Sequence, residues 1–155
     1  MSPEAKIATL SPQDVSPQLE HTREPQGYLA EIQGLKTHEI AYNPAGPFDI
    51  LDKKTGNMRT VLPVRVESAN SHFSDPNMPY DPRIHIAKRV SNNGTWRLVG
   101  PEYPGLEDPS VAFIDNNIVL SGVRAKDPDG KIRIRTEFYA GKDLANLEHV
   151  ADIPG

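Results

Sequence analysis

Proline constrains this chain more than any other residue: 15 of them recur from Pro3 to Pro154 in a sequence of 155 residues. Each lacks a backbone N–H and its ring clashes with the preceding helical turn, so long helices are disfavoured and short strands joined by turns are not. The apolar pattern agrees. From His38 onward, aliphatic residues alternate with polar ones at the spacing of a half-buried strand.

Residues 1–36 are polar, Pro-punctuated and weakly periodic, and read as an extended lead-in. Within it Ser11 offers a cap for a short turn through Asp14, and Tyr28–Ile32 suits a strand or one helical turn. Residues 37–155 read as a β domain. His38–Asn43 is a short strand ending at Pro44. In Met58–Glu67, Val64 and Val66 point one way and Arg65 and Glu67 the other, while Pro63 implies an edge position or a bulge. Arg83–Val90 puts Ile84 and Ile86 on one face, and Ser91–Gly94 turns the chain into Thr95–Val99. Pro101–Gly105 reads as a loop. Ser110–Ile114 is a continuous apolar run of the kind that forms a buried strand, followed by Ile118–Arg124 and by Lys131–Ala140, where Ile132 and Ile134 alternate with Arg133 and Arg135. Asp143–Val150 suits a helical turn and a strand.

The expected fold is therefore all-β, with antiparallel strands in two groups near residues 57–100 and 110–151. Strands at this spacing suit a sandwich, a barrel or propeller blades. A repeat of about 50 residues matches four-stranded blades, but two blades do not close a ring, which takes at least about four. A propeller reading thus implies a part of a longer protein, about two blades, with unclosed edges through which copies can self-associate.

Charge and composition exclude several functions. The net charge is −4, unsuited to neutralising phosphates, so no nucleic acid is expected. No apolar run approaches the ~20 residues of a membrane span, and the first residues lack the basic start and apolar core of a signal peptide, so a cytoplasmic location is expected. Cysteine is absent, and the five histidines show no metal-ligand spacing, so neither a metal nor a cofactor is expected. Asn93-Gly94-Thr95 matches a glycosylation sequon but suits a hairpin turn better.

Four segments in order, "AYNPAGPF" (41–48), "LPVRVES" (62–68), "LEDPSVAFID" (106–115) and "RTEFYAG" (135–141), resemble an uncharacterised family of five-bladed β-propellers. That family is related to the mannoside phosphorylases and β-mannosidases of the glycoside hydrolases. The resemblance runs from about residue 38 to the C-terminus and corresponds to about the first half of such a propeller. It implies a carbohydrate-active protein taking an oligosaccharide or glycoside of β-mannoside type in a central funnel. On the same resemblance Asp108 is the proton donor to the glycosidic oxygen, and Asn43 and Arg65 line the funnel, Arg65 toward substrate hydroxyls or an anion. One departure stands out. The phosphorylases follow E-D-P with an Arg that helps bind phosphate, where this chain has Ser110.

Each candidate also has a plainer use. Asp108 precedes Pro109, and Asp-Pro favours turns in which the carboxylate bonds nearby backbone N–H groups. Glu107, its neighbour on an extended chain, is expected on the opposite face, paired with a basic residue such as Arg65 or Arg124. Tyr42, Phe73, Trp96 and Tyr139 are candidates to stack on sugar rings, Tyr42 the best placed of them and Trp96 the most core-like. A solvated strand face is open to Arg65, Arg124, Arg133 and Arg135, and is the favoured reading for the last two. Asp49, Asp75 and Asp81 are second-carboxylate candidates by loop position alone. The competing reading is a non-catalytic sugar-binding or structural β-protein, or an inactive truncated fragment.

Overall fold

The computed structural model describes residues 31–155, and the expected turn after Ser11 lies outside them. Ten strands follow one another: β1 (Glu31–Gln33), β2 (Glu39–Tyr42), β3 (Phe48–Leu51), β4 (Met58–Ser68), β5 (Arg83–Arg89), β6 (Thr95–Pro104), β7 (Glu107–Ile114), β8 (Asn117–Lys126), β9 (Ile132–Gly141) and β10 (Glu148–Pro154). Among the described residues the one helical element is a 3-10 turn, Leu144–Asn146, whose first free N–H, that of Ala145, is accepted by the Asp143 carboxylate.

The strands form two sheets. The first runs β1-β6-β5-β4-β2, with β3 also paired to β4, and the second runs β10-β9-β8-β7. The β2–β4, β3–β4, β4–β5 and β5–β6 pairs of the first sheet, and all three pairs of the second, are antiparallel. The fold is all-β, as two neighbouring blades of a partial β-propeller would be.

β4 runs through the middle of the first sheet and is buried on both faces. Leu62, Val64 and Val66 pack with Ala87 and Trp96 on one side, against Ile32, Leu35, Ala41 and Leu98. Val61 turns the other way and joins Ile86 with Ile118 and Leu144, while Ile84, Tyr103, Leu106 and Leu120 close around one another farther along. These last two clusters draw residues from both sheets and fill the seam between them. Each fully buried aliphatic side chain contributes roughly 1.5–3 kcal/mol, so the seam is the main bond between the sheets. Ile84 and Ile86 share it, as their alternation predicts.

Four expectations give way. Pro63 sits on an interior strand, neither an edge nor a bulge. Its carbonyl accepts from Ala45 N at 2.9 Å, so its missing N–H faces the gap between β2 and β3, where no ladder bond is needed. β6 does not stop at Val99. Gly100 and Pro101 are two extra residues between the pairs Ile86–Val99 and His85–Glu102, and the strand resumes through Pro104. β7 is an edge strand, not a buried one, and leaves Phe113 and Ile114 more than half exposed. Ile132 and Ile134 are likewise exposed, because the face of β9 that carries them is not the one turned to the seam.

Asn93-Gly94 forms the turn between β5 and β6. Gly94 has φ +89°, and Val90 N donates to Thr95 O at 3.0 Å to close the hairpin.

Candidate functional site

The site forms across the seam, where the end of β2 and the middle of β4 face the start of β7. Antiparallel pairing sets Tyr42 opposite Arg65 on β4, and the Arg65 guanidinium lies over the Tyr42 ring, 4.9 Å from its centroid. Directly after Tyr42 the chain must leave the strand ahead of Pro44. It does so through Asn43, which takes a left-handed φ of +46°. Asn and Asp tolerate that region better than other residues with a side chain.

Asp108 on β7 does the same, with φ +48°. The Asn43 side-chain amide donates to Asp108 Oδ1 at 3.0 Å, so two left-handed residues, 65 apart in the chain, face each other across the seam. Asp108 is over half exposed, and among the described residues its second oxygen, Oδ2, has no protein partner.

The left-handed Asp108 also overturns the expected opposition of Glu107 and Asp108. The ladder between β7 and β8 is irregular between Glu107 and Ser110, which breaks the two-residue alternation. Both carboxylates therefore reach the same guanidinium: Arg65 Nη1 lies 2.5 Å from Glu107 Oε2 and 3.5 Å from Asp108 Oδ1. Of the two arginines open to Glu107 from the sequence, Arg65 is its partner. Arg124 instead pairs with Glu137 and donates to the Pro104 carbonyl.

The rest of the Arg65 fork belongs to Glu67. Nε and Nη2 donate to Glu67 Oε2 at 3.3 and 2.9 Å, and Glu67 Oε1 accepts from the Tyr42 hydroxyl. Three carboxylates thus share one guanidinium. Burial alone would lower the Arg65 pKa, but the Glu67 hydrogen bonds and the charges of Glu107 and Glu67 more than offset it and hold the group charged. Burial pushes the Glu107 carboxyl up, and the neighbouring charges of Asp108 and Glu67 add to that against the pull of Arg65. Burial first, then the hydrogen bond to Glu67, raises the Tyr42 phenol to about 12.

Glu67 is the residue that sequence reasoning did not nominate. The signal was present: in Val64-Arg65-Val66-Glu67 it shares a strand face with Arg65. The other candidates lie elsewhere. Trp96 is core. Phe73 packs edge-on to Tyr80 under Lys126, and Tyr139 packs on Tyr103 while its hydroxyl donates to Glu137. Asp49 accepts from Thr60, Asp75 from the backbone of Asn77, and Asp81 from Ser68. Arg133 and Arg135 both pair with Asp127.

Beside the Asn43–Asp108 pair lies a hollow of ≈470 Å³ lined by Ala45–Phe48 and by Pro109, Ser110, Val111 and Phe113. A larger cleft, ≈1140 Å³, opens toward the Met58 end of β4 over Ile50, Val61, Ile86, Ile118 and Leu144. The Lys53–Asp143 ion pair at its rim measures 2.9 Å, and none of Tyr42, Asn43, Arg65, Glu107 or Asp108 lines either cavity. The smaller hollow is the one continuous in sequence with both Asn43 and Asp108.

No protein-family model matches the chain, and no curated protein does. Solved structures do. A GDP-Man-dependent mannosyltransferase from Leishmania mexicana superposes with a TM-score of 0.63 at 20% identity, over 92% of this chain and 43% of its own. A hypothetical protein from Leishmania major gives 0.61 at 18% identity over 87% and 41%. A mannose phosphorylase from Leishmania mexicana, solved with phosphate ion, gives 0.58 at 18% identity over 88% and 42%. At these identities the likeness is one of fold. The chain spans less than half the length of each of these three structures.

Proposed function

We propose that this chain carries part of the sugar site of a carbohydrate-active five-bladed propeller, with Asp108 as the proton donor to a glycosidic oxygen of a β-mannoside. The observation that carries the reading is the Asn43–Asp108 hydrogen bond set against the Arg65–Glu107 ion pair across the seam. It fixes the carboxylate while leaving one oxygen open. Because the Asn43 amide already occupies Oδ1, the acidic proton belongs on Oδ2, the oxygen that solvent and substrate reach. Tyr42, Asn43, Arg65 and Glu107 form the wall beside it. The fold shared with a mannosyltransferase and a mannose phosphorylase supports a sugar substrate.

The electrostatics favour a neutral sugar over an anion at Arg65. Each of the three guanidinium nitrogens already has a carboxylate neighbour, and three acids around one cation repel phosphate. Ser110, where the phosphorylases carry Arg, points the same way. Hydrolysis or sugar binding is therefore favoured over phosphorolysis.

The test is release of mannose from β-linked mannobiose by the protein, with and without inorganic phosphate. Release that does not depend on phosphate and drops at least 100-fold in Asp108→Asn supports the reading. Unchanged release in that variant removes Asp108 from the role. Binding of mannobiose without release would favour the non-catalytic alternative, for which the Ser110 departure speaks.

Self-association belongs to the same proposal. Ile114 on the β7 edge strand and Ile153 on the opposite edge strand, β10, are exposed, which suits a second copy as partner. Sedimentation across a concentration series that detects monomer alone would exclude it.

A further inference from the structure

The seam contains the same side-chain unit twice. In one, Glu67 accepts from Arg65 and from the Tyr42 hydroxyl. In the other, Glu137 accepts from Arg124 at 2.5 and 3.1 Å and from the Tyr139 hydroxyl at 2.9 Å, and also from a second arginine, Arg135 Nε, at 3.0 Å. Both glutamates are buried, 6% and 4% exposed, and both arginines are similarly covered. The surroundings differ. Arg124 is sealed by the chain: it donates to the Pro104 carbonyl, and a Cβ at Gly105 would meet its Nη1 at 2.2 Å. Arg65 instead reaches Glu107 and Asp108, beside the hollow. One unit is closed structure, and its twin faces the candidate site.

We infer that Glu67 is the positioning residue of this site: its two oxygens fix, one each, the Tyr42 phenol and the Arg65 guanidinium, and through Arg65 the approach of Glu107 and Asp108. This rests on the sugar-site reading above and adds to it a residue that touches no substrate. The argument is geometric. Oε2 takes both Nε and Nη2, so the guanidinium plane cannot rotate about its stem, and Nη1 is left aimed at the β7 carboxylates. Oε1 holds the phenol, so the ring stays under the guanidinium at 4.9 Å. A side chain with one acceptor cannot serve both.

The seam's second unit supplies the control. Glu67→Gln and Glu137→Gln each remove one buried charge from an Arg–Glu–Tyr group, so both lower thermal stability, Glu137→Gln the more because Glu137 also pairs with Arg135. Two further readouts separate positioning from packing. The first is ligand-free: titration of tyrosine absorbance at high pH, with Tyr42→Phe to assign the Tyr42 step. Glu67→Gln is expected to move that step down from about 12 toward the ordinary 10, and Glu137→Gln to leave it in place. The second is the affinity for β-linked mannobiose, expected to fall at least tenfold in Glu67→Gln and to stay within twofold in Glu137→Gln.

An unmoved Tyr42 step in Glu67→Gln, or equal affinity loss in the two variants, overturns the inference. If the wild-type protein binds no mannobiose, the sugar reading fails while the titration still decides whether Glu67 holds Tyr42. If Glu67→Gln does not fold, the same comparison is made with Tyr42→Phe. That variant removes the Oε1 partner alone, and is expected to lower affinity while leaving the seam intact. Unchanged affinity there overturns the inference.

Discussion

Arg65 and Glu107 meet at 2.5 Å across the seam, one on the strand at the heart of the first sheet and the other on the inner edge of the second. Because both side chains are 13% exposed, the pair joins the sheets in a place where neither charge is well hydrated alone. Removing one partner leaves the other uncompensated, which costs far more than the pair itself contributes. Arg65→Met, which keeps the apolar stem, is expected to lose about 3 kcal/mol of unfolding free energy. Urea denaturation measures it. A loss no larger than that of an exposed ion pair, such as Lys53–Asp143, would mean the seam does not depend on this contact.

Glu107 and Glu137 give stability opposite dependences on pH. Burial raises the Glu107 carboxyl above its ordinary 4.5. A carboxyl that holds its proton more tightly when folded favours the fold while protonated. Its contribution is full below 4.5 and is lost as pH rises through the raised value. Burial acts on Glu137 in the same sense, but hydrogen bonds from Arg124 and Tyr139 and the charges of Arg124 and Arg135 outweigh it and hold the group low. Its contribution is present above 4.5 and is lost as pH falls through the lowered value. Thermal midpoints from pH 3 to 8 should therefore fall less steeply above 4.5 in Glu107→Gln than in the wild type. Glu137→Gln should instead lose the decline on the acid side. Profiles parallel to the wild type in both variants would contradict these assignments.

What the sequence could reveal depended on whether a residue's role was local. The hairpin at Asn93-Gly94, the alternation of Val64 and Val66 against Arg65 and Glu67, and the shared face of Ile84 and Ile86 are all nearest-neighbour properties, and all are present. The burial of β7 was misread because apolar content says a strand wants a partner, not whether one covers it; Phe113 and Ile114 lie on an edge. Pro63 was misread because a gap between two short strands on its flank is a tertiary fact. The site behaved likewise. Tyr42, Asn43, Arg65, Glu107 and Asp108 were all nominated and do come together, yet the reason they converge was hidden. Two left-handed residues and an irregular ladder turn Glu107 and Asp108 onto one guanidinium, and no period in the sequence encodes that.

Asn43 separates backbone strain from hydrogen bonding. At φ +46° a side chain with a Cβ crowds the next carbonyl, a cost of about 1–2 kcal/mol that Asn partly escapes and Gly escapes altogether. Both Asn43→Ala and Asn43→Gly lose the bond to Asp108, so the difference between them reports the backbone alone. Asn43→Ala is expected to be less stable than Asn43→Gly by about 1 kcal/mol in urea denaturation. Equal stabilities would mean the chain at Asn43 relaxes out of the left-handed region when its amide is removed.

Gly122 links the core to the site. It lies on β8 facing the seam, where an added Cβ would stand 2.5 Å from Ile84 Cδ1, 3.1 Å from the Glu107 carbonyl oxygen and 3.2 Å from Leu106 Cβ. The Ile84 methyl can rotate away, but the Glu107 backbone cannot yield without carrying its carboxylate off Arg65. Overpacking a tight core costs typically 1–3 kcal/mol, and Gly122→Ala should lie in that range. It should also lengthen the Arg65–Glu107 contact, which weakens the pull of Arg65 against burial, raises the Glu107 carboxyl further and steepens the loss of stability above pH 4.5 without touching a charged residue. A crystal structure of the variant, or its thermal midpoint between pH 4 and 7 compared with that of Glu107→Gln, checks the link. A stability loss with an unaltered pH profile would show that the seam absorbs the methyl through Ile84 and Leu106 alone, leaving the β7 carboxylates where they stand.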